Sequence, residues 1–121
     1  MFSIIDLIGR NALAVERIAG VADDSALIQS KNSRLYIKSH YREGGIEITY
    51  IDHIADQVLI YGKESSLIKE FICFLGLRFT PTNIKHVGVV KYYNIAGLAE
   101  VAFYGDREGK IDKLHIKAFT T

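Results

Sequence analysis

The sequence has one cysteine, one proline and no tryptophan in 121 residues. A lone Cys73 cannot close an internal disulfide, so the chain is not built for an oxidising compartment, and no cysteine-based zinc cage can form. A single proline beside 49% hydrophobic residues excludes collagen-like, linker-rich and disordered chains. An excess of one charge is also missing. Fifteen Lys and Arg against fourteen Asp and Glu leave a net charge of +1, which neither demands nor forbids an acidic partner. The longest apolar run, Phe71 to Leu77, is far below the roughly 18–20 residues that span a bilayer, so no membrane partner is expected. A secretory leader begins with basic residues, whereas the only early charge here is Asp6, and cytoplasmic residence is the expectation. The length suits one domain covering residues 1–121.

Ile5, Ile8, Ala12, Val15 and Ala19 recur at steps of three and four, which predicts a first helix. Ser3 and Asp6 are positioned to cap its start, and Gly20 to stop it. The period then changes to two. Ala26–Gln29 and Arg34–Arg42 flank the polar Ser30-Lys31-Asn32-Ser33 as a hairpin. Glu43-Gly44-Gly45 makes the next turn, followed by strands at Ile46–Asp52 and Gln57–Tyr61, with His53–Asp56 as a short link. Ser65 and Ser66 open a second helix whose broad apolar face holds Leu67, Ile68, Phe71, Ile72, Phe74 and Leu75, ended by Gly76 and Pro81. Strands return at about Val87–Asn94, Leu98–Tyr104 and Ile111–Phe119 by the same period of two. Strands joined by such short turns pair antiparallel, because a parallel return needs a long crossover. The expected class is α+β: one antiparallel sheet of about six or seven strands in the order α-β-β-β-β-α-β-β-β, with both helices on one face. Arg42-Glu43-Gly44 and Arg107-Glu108-Gly109 are alike, as a duplicated hairpin would be, although turn chemistry alone explains the likeness.

Phosphate loops, dinucleotide fingerprints, zinc-protease helices and nucleophile elbows are all missing. Cys73 is expected to be a small buried hydrophobe on the second helix. His40, His53, His86 and His115 have no metal-clamp spacing, and neither a metal nor a cofactor is expected. The best local acid–base arrangement is His53 with Asp52 or Asp56, where a carboxylate would orient the imidazole; no nucleophile or oxyanion donor accompanies it.

Strand faces are more informative. Alternation in Arg34–Arg42 puts Arg34, Tyr36, Lys38, His40 and Arg42 on one side, and Leu35, Ile37, Ser39 and Tyr41 on the other. The last strand repeats this, with Lys113, His115 and Lys117 opposite Leu114, Ile116 and Ala118. These stripes form either a basic binding face or, if Glu47 and Glu100 neutralise them, an ordinary solvated one. Seven tyrosines lie in or beside strands. Their rings fit a pleated surface, yet Tyr92 and Tyr93 must point to opposite faces, and tyrosine also anchors protein interfaces.

In size, mixed α+β layout and lack of catalytic motif, the chain resembles small bacterial immunity proteins, the cytoplasmic inhibitors of toxins delivered by contact-dependent or related systems. The resemblance implies a non-enzymatic module that neutralises a cognate toxin by tight stoichiometric binding. Inhibitors of cationic nucleases are often acidic, so the near-neutral charge of this chain leaves room for a partner surface of acidic or mixed charge. The expected contact residues are Tyr36, Lys38, His40, Arg42, Tyr92 and Lys117. Two alternatives stand beside it. One is nucleic-acid binding through the same face, with lysines on phosphates and a tyrosine stacked on a base. The other is a small enzyme using His53 with Asp52 or Asp56.

Overall fold

Gly9 adopts a left-handed backbone with φ of +77°, and this residue divides the N-terminal segment in two. The structure, a computed structural model, describes residues 2–31, 34–77, 88–106 and 110–118. In place of one helix starting at Ser3, a 3-10 turn spans Ile4–Asp6 and a helix, α1, spans Ala12–Ala19. Ser3 makes no side-chain cap; Asn11 does, its side chain accepting the Ala14 N–H at 2.9 Å. The cause of the break is tertiary. Gly9 N–H donates to the Ala55 carbonyl at 2.9 Å, Ala55 N–H donates to the Arg10 carbonyl at 2.8 Å, and Asn11 bridges to Ile54. Three residues are thus drawn into strand-like pairing inside a stretch whose apolar spacing is helical.

The strands that follow are β1 (Asp24–Lys31), β2 (Arg34–Tyr41), β3 (Ile46–Ile51) and β4 (Ile54–Tyr61). The link between β3 and β4 is not His53–Asp56. It is Asp52-His53, whose φ values of +49° and +70° give the turn handedness that suits the twist of a two-residue hairpin. Asp52 supports the turn by accepting the Leu35 N–H at 2.9 Å. Ala55 and Asp56 consequently belong to β4, where the register against β3 shifts between Thr49 and Tyr50.

A 3-10 turn at Gly62–Glu64 leads into helix α2, Ser65–Leu75. Gly76, left-handed at φ +73°, caps it as expected, its N–H bonding to the carbonyls of Cys73 and Ile72. The buried stripe of α2 is Leu67, Ile68, Phe71 and Ile72, and each such side chain contributes roughly 1.5–3 kcal/mol by leaving water. That stripe is narrower than the apolar residues suggested. Steps of 100° per residue carry Cys73 and Phe74 past its edge, so Cys73 is exposed rather than buried and Phe74 is 51% exposed. Pro81 lies outside the described residues.

β5 (Gly88–Ile95), β6 (Leu98–Gly105) and β7 (Ile111–Ala118) complete one antiparallel sheet of seven strands, ordered β1-β2-β3-β4-β7-β6-β5. Two meanders, β1 to β4 and β5 to β7, are therefore welded through β4 and β7. Val58 lies opposite Ile116 and Ile60 opposite Leu114, all fully buried, so the seam is made of four branched aliphatic side chains. Alternate residues Ile46, Ile48 and Tyr50 of β3, Val101 and Phe103 of β6, and the seam itself form one core with Ile4, Leu7, Val15 and the α2 stripe. The similarity between Arg42-Glu43-Gly44 and residues 107–109 cannot be followed structurally, because the second stretch lies outside the described residues.

Candidate binding face

The residues between the core positions project to the opposite side of the sheet. The strand registers align them in rows. One row runs Asp24, His40, Glu47, Leu59, His115, Ala102, Lys91, one residue from each strand. The next runs Ala26, Lys38, Thr49, Gln57, Lys117, Glu100, Tyr93. β2 and β7 are separated by two strands, so their basic stripes stand about 14 Å apart at the usual spacing between neighbouring strands. Between them lies a concavity of about 270 Å³ lined by Lys38, Glu47, Gln57, Tyr104, Lys113 and His115, among others.

His40 is held between two carboxylates. Its Nδ1 is 2.5 Å from Asp24 Oδ1 and its Nε2 is 2.9 Å from Glu47 Oε1. Only the protonated ring can donate from both nitrogens. The Asp24 hydrogen bond accordingly raises the His40 pKa above 6.5, with Glu47 adding to it and partial burial opposing. Glu47 also takes Lys38 at 3.6 Å, and Glu100, although opposite Lys117 in register, takes Lys91 at 3.5 Å. Both acids are therefore partnered. Lys113 and Lys117 have no carboxylate partner among the described residues; the Lys113 ammonium lies 4.5 Å from the centroid of the Tyr104 ring.

His115 is the electrostatic opposite of His40. It is half-buried, with Nε2 3.0 Å from Gln57 Oε1. Burial pushes its pKa below 6.5, Glu100 acts against that, and Lys113, Lys117 and Lys91 reinforce it. An Nε2–H donated to Gln57 leaves the Nδ1 lone pair of a neutral ring as an acceptor.

Of the residues expected to make contacts, Lys38, His40 and Lys117 share this face, and Tyr36 joins them by its register opposite Ile51. Arg42 and Tyr92 do not. β2 ends at Tyr41, and Arg42 turns away with φ of +54°, its Nε donating to Glu64 Oε1 at 2.9 Å and its guanidinium 5.7 Å from the Phe2 ring. Tyr92 packs on the core, edge-on to buried Phe103 with ring centroids 6.2 Å apart. Its neighbour Tyr93, 62% exposed and opposite Glu100, is the ring that faces outward. The Ala96-Gly97 turn carries this signal, because counting back from it pairs Tyr93 with Glu100, the polar parity of β6. Tyr61 and Tyr104, which flank Lys113 across β4 and β6, are legible by the same parity rule.

The acid–base arrangement around His53 does not form. His53 occupies the exposed turn, Asp52 is engaged with Leu35 N–H, and Asp56 is fully buried with neither carboxylate oxygen partnered among the described residues. His86 lies outside the described residues. No group of three or more His, Cys, Asp or Glu side chains among the described residues could hold a metal ion, and no described helix is long and apolar enough to cross a membrane.

No known family, curated protein or solved structure matches this chain. Its functional reading rests on the face itself.

Proposed function

We propose that the chain is a non-enzymatic protein-binding module of the toxin-immunity kind, which neutralises a cognate toxin by one-to-one binding. In this reading both helices close one side of the sheet, and the other side is the binding surface. The observation that carries it is the placement of Tyr36, Tyr61, Tyr93 and Tyr104 on the outward parity of the sheet, where Tyr104 lines a concavity together with Lys38 and Lys113. Tyrosine provides a large, stiff contact area with a polar tip, and so anchors interfaces at small entropic loss. A face of this kind suits partner recognition better than it suits solvent.

The experiment is affinity capture with the tagged full chain from an extract of the source cell. A protein recovered at one-to-one stoichiometry supports the reading, provided that Tyr36→Ala and Tyr93→Ala each weaken the purified complex at least tenfold and Glu70→Ala, on the exposed side of α2, leaves it intact. Protection of cells that express the captured protein would establish the immunity class. Recovery of nucleic acid in place of protein would favour the alternative use of the same face, marked by a fall in affinity with salt of about 0.7–0.9 logarithmic units per phosphate contact.

A further inference from the structure

We infer that the binding face recognises an acidic segment of its protein partner, with one carboxylate entering the concavity beside Lys113 and a second meeting Lys117. This rests on the protein-binding reading and adds the chemistry of the partner.

The acids on this face are already engaged: Asp24 and Glu47 by His40, Glu47 again by Lys38, and Glu100 by Lys91. Lys113 and Lys117 remain as cations without carboxylates among the described residues. Their placement is specific. They stand on either side of His115 on β7, four residues apart on the same face, which sets their backbone positions about 13 Å apart along the strand. Two acidic side chains four residues apart on an extended segment match that separation. The Tyr104 ring steadies the Lys113 stem while its ammonium keeps N–H groups to donate. The Thr49 hydroxyl and the Gln57 amide add neutral donors in the same hollow.

A carboxylate suits this hollow better than a phosphodiester chain does. Only two lysines of the face lack carboxylates among the described residues, too few to track a continuous polyanion, and a net charge of +1 supplies little long-range attraction for one. Two discrete acids on a protein match the two lysines in number and spacing.

His115 reports occupancy. The charged groups that act on it are Glu100 on β6, Lys113 and Lys117 on β7, and Lys91 on β5, and Lys38 of β2 and Glu47 of β3 line the same hollow. A carboxylate held by Lys113 and Lys117 offsets the two cations that disfavour the imidazolium, so binding raises the His115 pKa.

The test titrates the full chain at low salt with a capped peptide Glu-Thr-Val-Thr-Glu, its Gln-Thr-Val-Thr-Gln counterpart, and single-stranded oligothymidylate, following the His115 ring nitrogens by NMR. The diacidic peptide should bind saturably and raise the His115 pKa. The glutamine peptide should bind at least tenfold more weakly, and Lys113→Gln with Lys117→Gln should remove the difference between the two peptides. Equal binding of both peptides, no saturable shift, or tighter binding of the oligonucleotide would overturn the inference. A captured partner whose affinity is unchanged in the double lysine variant would also overturn it, while leaving the protein-binding reading in place.

Discussion

The phenolic oxygens of Tyr41 and Tyr50 lie 2.5 Å apart inside the core, where each residue is 2% exposed. Neither hydroxyl has water to replace its partner. Burial, the hydrogen bond and the neighbouring phenol together push the Tyr50 pKa upward, so Tyr50 stays neutral. Tyr50→Phe strands the Tyr41 hydroxyl and should destabilise the fold by about 1–3 kcal/mol, whereas Tyr41→Phe with Tyr50→Phe should recover most of that. Urea unfolding of the two single variants and the double variant measures the coupling; additive losses would contradict it.

His40 and His115, on the same face of the sheet, set opposite limbs of the pH–stability curve. His40 has a folded pKa above 6.5, so its contribution is complete below pH 6.5 and is lost as pH rises through the folded value. His115 has a folded pKa below 6.5. The unfolded chain takes its proton first, and stability falls as pH drops from 6.5 through the folded value. His40→Gln should flatten the alkaline decline, and His115→Gln the acid one. Thermal melts between pH 5 and pH 8 read both limbs, and a variant that flattens the wrong limb would refute the assignment.

Asp56 is a carboxylate in the interior with no hydrogen-bond partner among the described residues. Such a group costs more to bury than a hydrocarbon of similar shape. Asp56→Val should therefore raise the urea midpoint, by an amount corresponding to about 1–3 kcal/mol. A loss of stability would show that the carboxylate has a use in the folded chain.

His53 sits at φ +70° in a turn position that glycine fills without a steric penalty. Relief of that strain exceeds the added freedom of the unfolded chain, so His53→Gly should stabilise by about 0.5–1 kcal/mol. Asp52→Ala should act in the other direction, because it removes the acceptor of the Leu35 N–H. Differential scanning calorimetry distinguishes the two signs.

Period-two alternation is enough to mark β2 and β7 and to put Lys38 and His40 of the one, and Lys113, His115 and Lys117 of the other, on a shared parity. The break at Gly9 is not legible in the same way. The apolar spacing from Ile5 to Ala19 is helical throughout, and only pairing of Gly9–Asn11 with Ile54 and Ala55 makes an interruption favourable. Arg42 leaves the face for a related reason. Alternation continues one residue past Tyr41 in the sequence, but the backbone there turns to positive φ and carries the guanidinium to Glu64. Tyr92 and Tyr93 require the hairpin register, since either ring satisfies the sequence pattern of a strand.

Local chemistry, which acts over a few residues, was enough to mark the strand segments, the Gly76 helix stop, the α+β class and the shared parity of Lys38 with His40 and of Lys113, His115 and Lys117, but not the departure of Arg42. Partnership across the sheet was decided only by tertiary structure. β4 meets β7 because burying Val58, Ile60, Leu114 and Ile116 together removes a branched aliphatic stripe from water, and that pairing is non-local. It brings two distant basic stripes around one hollow, while the hairpin registers within each meander set Lys38 and His40 against Glu47 and Lys91 against Glu100. Charge is a property of the sequence, but its neutralisation depends on distances of a few ångströms that only the folded sheet sets.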